Sequence, residues 1–168
     1  MSLDVYAADE QADLPVDVGR WSDLARSALV AEGIGGDTEV ALLFVDEQTI
    51  ASLNERFLSK AGPTDVLSFP IEDEVERSGR SPDQGGTGPG TIEADSDRLL
   101  LLGDVVICPT VAARNAVEHG VGLDDELALL VVHGILHLLG MDHEDPAEAE
   151  AMERREQQLL TRYYRNTP

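Results

Sequence analysis

Apolar positions along the chain switch between helical and strand spacing, and the switches mark out its elements. Between residues 17 and 32, Trp21, Leu24, Ala25, Ala28 and Leu29 recur every three or four residues, the stripe of an amphipathic helix. Gly33, Gly35 and Gly36 end it. Residues 39–45 form a compact apolar run, read as a buried strand. Asp46 is then a helix cap, with Ile50, Leu53 and Phe57 on one face of the helix that follows. Residues 2–7 alternate weakly and give a first strand, and residues 65–69 a short strand closed by Pro70. Residues 99–108 are apolar at almost every position, which places that strand in the middle of a sheet. Pro109 suits the first turn of a helix running to about His119. Asp124, Asp125 and Glu126 put negative charge at the start of a helix spanning 127–139, which is apolar nearly all round and therefore buried. Asp145-Pro146-Ala147-Glu148 combines a cap, a proline at the first helical position and an acid three residues after the cap, and starts a last helix reaching about Tyr164. Four strands mixed with about five helices predict an α+β fold.

Residues 72–98 break this pattern. They are rich in Gly, Ser, Asp and Pro, and read as a polar, flexible insert connecting a long hairpin. The remainder suits one domain across the 168 residues, with an aliphatic core, since aromatics make up only 4%. No apolar run has the roughly 18 residues a membrane span needs. The first ten residues lack the basic start and apolar stretch of a signal peptide, so a cytoplasmic protein is expected. Cys108 is the single cysteine, which excludes an intrachain disulfide and a thiolate metal cluster; at the end of an apolar strand it reads as a small buried hydrophobe.

Charge narrows the partners. The formal net charge is −21, and Lys60 is the only lysine. Such a surface repels polyanions and argues against a simple nucleic-acid binder. One reading is adaptation to high salt; the other is an acidic tail and insert that skew the total.

Three of the four histidines fall in the segment His133-Gly134-Ile135-Leu136-His137-Leu138-Leu139-Gly140-Met141-Asp142-His143. His133 and His137 lie one helical turn apart on the same face, a spacing that grips one ion with Zn–N bonds of about 2.0–2.1 Å. Gly140 permits a reversal that returns His143 as third ligand. Three imidazoles leave a fourth position for water, the arrangement of a catalytic zinc. A lone histidine on an apolar helix is ordinarily a core residue, but burying three without a shared partner would cost on the order of several kcal/mol. Nickel or another divalent ion suits the same donors. Zinc proteases carry Glu directly after the first histidine as general base; Gly134 stands there, so peptidase activity is not expected. Asp142, Glu144 and Asp145 are the acids that remain, with Asp142 favoured as an assisting residue or an orienter of a ligand. His119 reads as a surface residue at a helix end.

The string from His133 to His143 resembles the H-G-x-L-H-L-x-G-x-D-H signature of the YbeY family of bacterial endoribonucleases. Pro63-Thr64-Asp65-Val66-Leu67-Ser68-Phe69-Pro70 resembles that family's P-T-D-V-L-S-F-P block, Gly103-Asp104-Val105-Val106-Ile107-Cys108 its G-D-[IV]-x-I-[CS] strand, and Leu53-Asn54 its L-N pair. The resemblance implies a zincin-like fold with a small mixed sheet flanked by helices. It implies one zinc ion held by His133, His137 and His143, cleavage of single-stranded RNA, 16S rRNA 3′-end processing and ribosome quality control. Expected partners are rRNA and the small ribosomal subunit or its assembly proteins, with no membrane. The family commonly has arginine directly after the aromatic that Phe57 matches; here that position is Leu58. Arg56 is then a candidate RNA contact, although two helical steps rotate it by roughly 200°, and Lys60 is another. The site alone equally suits a metal-dependent hydrolase of another substrate, and the charge suits an assembly factor acting mainly by binding.

Overall fold

In the computed structural model, residues 3–71, 74–76, 98–142 and 144–165 are described. Asp17 caps helix α1 (Val18–Ala31) by accepting from the Arg20 amide, and the buried stripe is the five residues read from the spacing. Asp46 caps α2 (Glu47–Leu58) through the Thr49 amide at 2.8 Å. Pro109 opens α3 (Pro109–His119), which stops at Gly120. Helix α4 spans Leu123–Leu138, starting four residues earlier than the apolar pattern indicates. Its three acids therefore lie inside the first turn, where unpaired amides favour them. Asp145 caps α5 (Pro146–Leu160) through the Glu148 amide, and a π-helical turn follows at Thr161–Arg165.

The strands are β1 (Leu3–Asp9), β2 (Thr38–Phe44), β3 (Val66–Pro70), β4 (Glu74–Glu76) and β5 (Arg98–Ile107). The mixed sheet has the order β1-β2-β5-β3: β1 and β2 are parallel, β2 and β5 are parallel, and β3 runs antiparallel to β5. The apolar strand is thus central, as expected. Short β4 also pairs antiparallel with β5, Glu74 opposite Leu100. The expected four-stranded mixed sheet is present, and β4 adds a three-residue strand from the polar insert beside it; residues 72–73 and 77–97 of that insert lie outside the described residues. The sequence pattern missed β4 because it spans only three residues.

Alternation along the strands sorts the core into two layers. Val40, Leu42 and Phe44 of β2, with Val105 and Ile107 of β5, pack beneath α1, α4 and α5. Val106, Cys108 and Leu67 point the other way and pack with Ile50 of α2 and Val111 of α3. Each fully buried aliphatic side chain of this kind contributes roughly 1.5–3 kcal/mol over its exposed state. The second layer is braced at its rim. Glu47 accepts from both guanidinium nitrogens of Arg114 and from the Thr110 hydroxyl, which ties α2 to α3. These partners hold the Glu47 carboxyl down at about 2.

A bulge sets the register of the functional end of the sheet. Opposite Glu39 and Val40, β5 steps from Leu101 to Gly103. Gly103 has φ +134°, and a Cβ there would lie 2.2 Å from the Phe69 carbonyl oxygen. Only glycine lets β3 approach so closely, and the approach brings the following residues, Asp104 and Val105, opposite Phe69 and Ser68.

Candidate metal centre and cleft

Helix α4 crosses the sheet over β5 and β3, and its seat is set by Gly134. A Cβ at this position would meet Val105 Cγ1 at 2.5 Å and Ser68 Oγ at 3.4 Å. Val105 and Ser68 are cross-strand partners on β5 and β3, so the helix rests directly on that pair. The Ser68 hydroxyl donates to the Gly134 carbonyl at 3.2 Å, tying the edge strand to the helix. The glycine that stands in place of a protease's glutamate is therefore a packing requirement.

One turn apart on this seated helix, the His133 and His137 rings meet edge to face, with centroids 4.6 Å apart. Both line an open cleft of about 660 Å³ between the end of α4, strand β3 and the loop after α2. Asn54, Lys60, Asp65 and Asp142 also line it. The helix ends in a Schellman turn: the Gly140 amide donates to the His137 carbonyl, and the Met141 amide to the Leu136 carbonyl. Gly140 takes φ +98° to close this turn, and the chain reaches Met141 and Asp142 on the cleft wall. His143, the expected third ligand, follows directly in sequence and lies outside the described residues. Among the described residues no cluster of three His, Cys, Asp or Glu side chains is placed to hold a metal ion. The donor chemistry that is described, two imidazoles at helical spacing in one cleft, fits zinc or a similar ion.

The opposite wall is built by Asn54. This buried side chain donates from Nδ2 to the Gly62 carbonyl at 3.0 Å, while the Asn54 backbone carbonyl accepts from the Lys60 amide. Together they fold the loop after α2 so that Lys60, the chain's only lysine, reaches the cleft. Arg56 is placed differently. Its guanidinium stacks 5.4 Å from the Phe57 ring centroid, and it is not among the residues lining the cleft. Leu58, two residues on, does line it.

Glu156 was not anticipated from the sequence. It is buried, with 6% of its surface exposed, and its Oε2 lies 2.5 Å from His133 Nδ1. The available signal is its place on α5, where it shares the buried stripe with Met152, Leu159 and Leu160. A carboxylate on an apolar stripe needs a partner, but the partner is 23 residues upstream on another helix. His119 stands apart from the cleft. Its Nδ1 meets the buried Glu126 carboxylate at 2.9 Å, and that bond raises the imidazole pKa above its ordinary 6.5.

The model of the endoribonuclease YbeY family matches residues 6–164. The chain belongs to this family. An endoribonuclease YbeY of a Nocardioides species is 42% identical over 160 residues, covering 95% of this chain and 96% of that protein. That of Thermobifida fusca is 40% identical over 167 residues, covering 99% and 96%. A solution structure of a Thermotoga maritima protein shares the fold, with a TM-score of 0.55 at 24% identity, over 96% of this chain and 93% of that one. In this YbeY chain no helix among the described residues is long and apolar enough to cross a membrane.

Proposed function

We propose that this chain is a zinc-dependent endoribonuclease that cuts single-stranded RNA during ribosome maturation, at the 3′ end of 16S rRNA, in the cytoplasm. Membership of the endoribonuclease YbeY family carries the reaction class. The observation that carries the site is the His133–His137 pair lining an open cleft beside Lys60 and Asp142. One zinc ion held by His133, His137 and His143 would supply Lewis acidity and lower the pKa of water at the scissile phosphate.

The chain's own residues do the rest. Lys60 is the only lysine or arginine among the described cleft-lining residues and would meet a backbone phosphate. Asn54 sets the loop that carries Lys60, and Ser68 holds β3 against α4, so the two walls keep their separation. Asp142, on the cleft wall next to His143 in sequence, is the carboxylate assigned to orient that ligand or to accept a proton. Arg56 stays a secondary candidate for RNA contact outside the cleft. A chain of net charge −21, with one lysine or arginine among the described cleft-lining residues, cannot rely on long-range attraction to RNA. Binding is therefore expected to depend weakly on salt, with a slope in log K against log salt of about −0.7 per phosphate neutralised on a single strand.

The same charge favours a second reading, an assembly factor that binds a basic protein surface of the small subunit. Zinc-loaded protein and its His137→Ala variant, incubated with single-stranded rRNA fragments, separate the two. Loss of cleavage in the variant supports the nuclease. Equal cleavage by both would overturn it, and a variant that still supports ribosome assembly in cells would favour the binding factor.

A further inference from the structure

We infer that Glu156 is a positioning residue for the metal centre, which fixes the tautomer and the ring orientation of His133. This rests on the proposed zinc site and deepens it. A neutral imidazole carries one N–H, on either nitrogen, and only the other nitrogen can bind a metal. His133 Nδ1 lies 2.5 Å from Glu156 Oε2, within hydrogen-bond distance, and a ring nitrogen bonds to a carboxylate oxygen by donating its N–H. The Nδ1–H of His133 therefore donates to Glu156, and Nε2 keeps its lone pair for the ion.

The fold holds the carboxylate for this task. Glu156 is buried on the inward stripe of α5, between Met152 and Leu159, so its side chain has little freedom to leave. The adjacent Arg155 anchors the same turn of α5 to the end of α1: its Nε donates to Glu32 at 2.7 Å and its other nitrogen reaches the Ala31 carbonyl. Helix α4 is in turn fixed against β5 and β3 at Gly134, next to His133. Both partners of the His133–Glu156 bond thus stand on elements that are independently anchored, and the ring is aimed before any ion arrives. Loss of such a carboxylate partner typically weakens metal affinity about 10–100-fold.

The test uses the full chain and its Glu156→Ala, Glu156→Gln and His137→Ala variants. Zinc affinity is read by competition with a chromogenic chelator. The His133 tautomer is read in metal-free protein by long-range ¹H–¹⁵N correlation, and folding by urea unfolding. We expect the Nδ1–H tautomer in the native chain and a tautomer mixture in Glu156→Ala. Zinc affinity should fall about 10–100-fold in Glu156→Ala, with partial recovery in Glu156→Gln, whose amide oxygen still accepts the N–H. A merely structural role would lower the unfolding midpoint in both variants while leaving tautomer and affinity unchanged. That outcome, or an Nε2–H tautomer in the native chain, overturns the proposal. Failure of the zinc site itself looks different: native protein and His137→Ala would then bind zinc equally poorly, while the tautomer measurement still decides the role of Glu156.

Discussion

Replacing Gly134 by alanine tests whether the metal-site helix is seated by the sheet. On an exposed helix the change would stabilise the protein by about 1 kcal/mol, because alanine is the better helix former. Here the new methyl would sit 2.5 Å from Val105 Cγ1 and 3.1 Å from Cγ2. Val105 is fully buried on the central strand, and as a β-branched residue it has few alternative rotamers. Overpacking of this kind costs about 1–3 kcal/mol. The net expectation is a loss of up to about 2 kcal/mol, the steric cost outweighing the propensity gain. Urea unfolding would show it as a lower midpoint at constant slope, by roughly 0.5 M for each kcal/mol at a slope near 2 kcal/mol/M. Adding Val105→Ala makes room for the methyl, so the double variant should recover part of the loss, with a coupling energy of about 0.5–3 kcal/mol. Lifting α4 off the sheet also moves His133 and His137, so zinc affinity should fall in Gly134→Ala and return in the double variant. A Gly134→Ala protein more stable than the native chain, or strictly additive single changes, would show that Val105 does not seat the helix.

Other outcomes follow from the charges. Glu47 has its folded pKa depressed to about 2 by Arg114 and Thr110, so its contribution is present above 4.5 and is lost as pH falls toward 2. The stability difference between native protein and Arg114→Gln should therefore be flat near neutrality and vanish near pH 2; a difference that persists there contradicts this. His119 has a raised folded pKa, so its bond to Glu126 stabilises most below 6.5 and the contribution fades as pH rises through the folded value. Thermal melts of His119→Gln should show the larger deficit in acid, and a pH-independent deficit would count against the charged pair. Lys60→Ala should weaken binding to single-stranded RNA and flatten its salt dependence by about 0.7 in slope. An unchanged slope would remove Lys60 from the phosphate path.

Helix stripes and caps were legible because they are local. The Trp21-to-Leu29 spacing, Asp46, and Asp145 with Pro146 each specify an end or a face within a few residues. The central strand was legible from its uninterrupted apolar run. The start of α4 was placed late because the three acids after Leu123 interrupt the apolar periodicity. The reason for Gly134 was hidden for a different cause: its constraint comes from Val105 and Ser68, residues on two distant strands. Glu156 was hidden in the same way, as one member of a pair formed only when α5 docks on α4. The exclusion of Arg56 from the cleft follows from helix phase together with the Asn54-braced loop, and only the first of these is visible in sequence.

In the proposed site, His133, His137 and His143 together hold one metal ion. Calorimetric zinc titration of the native chain beside the three single His→Ala variants tests it most directly. One zinc per native chain is expected, with a loss of at least about 100-fold in affinity when any of the three is removed, since each ligand is one of only three from the protein. Zinc binding by His143→Ala as tight as that of the native chain, with His133→Ala and His137→Ala impaired, would contradict the three-histidine site.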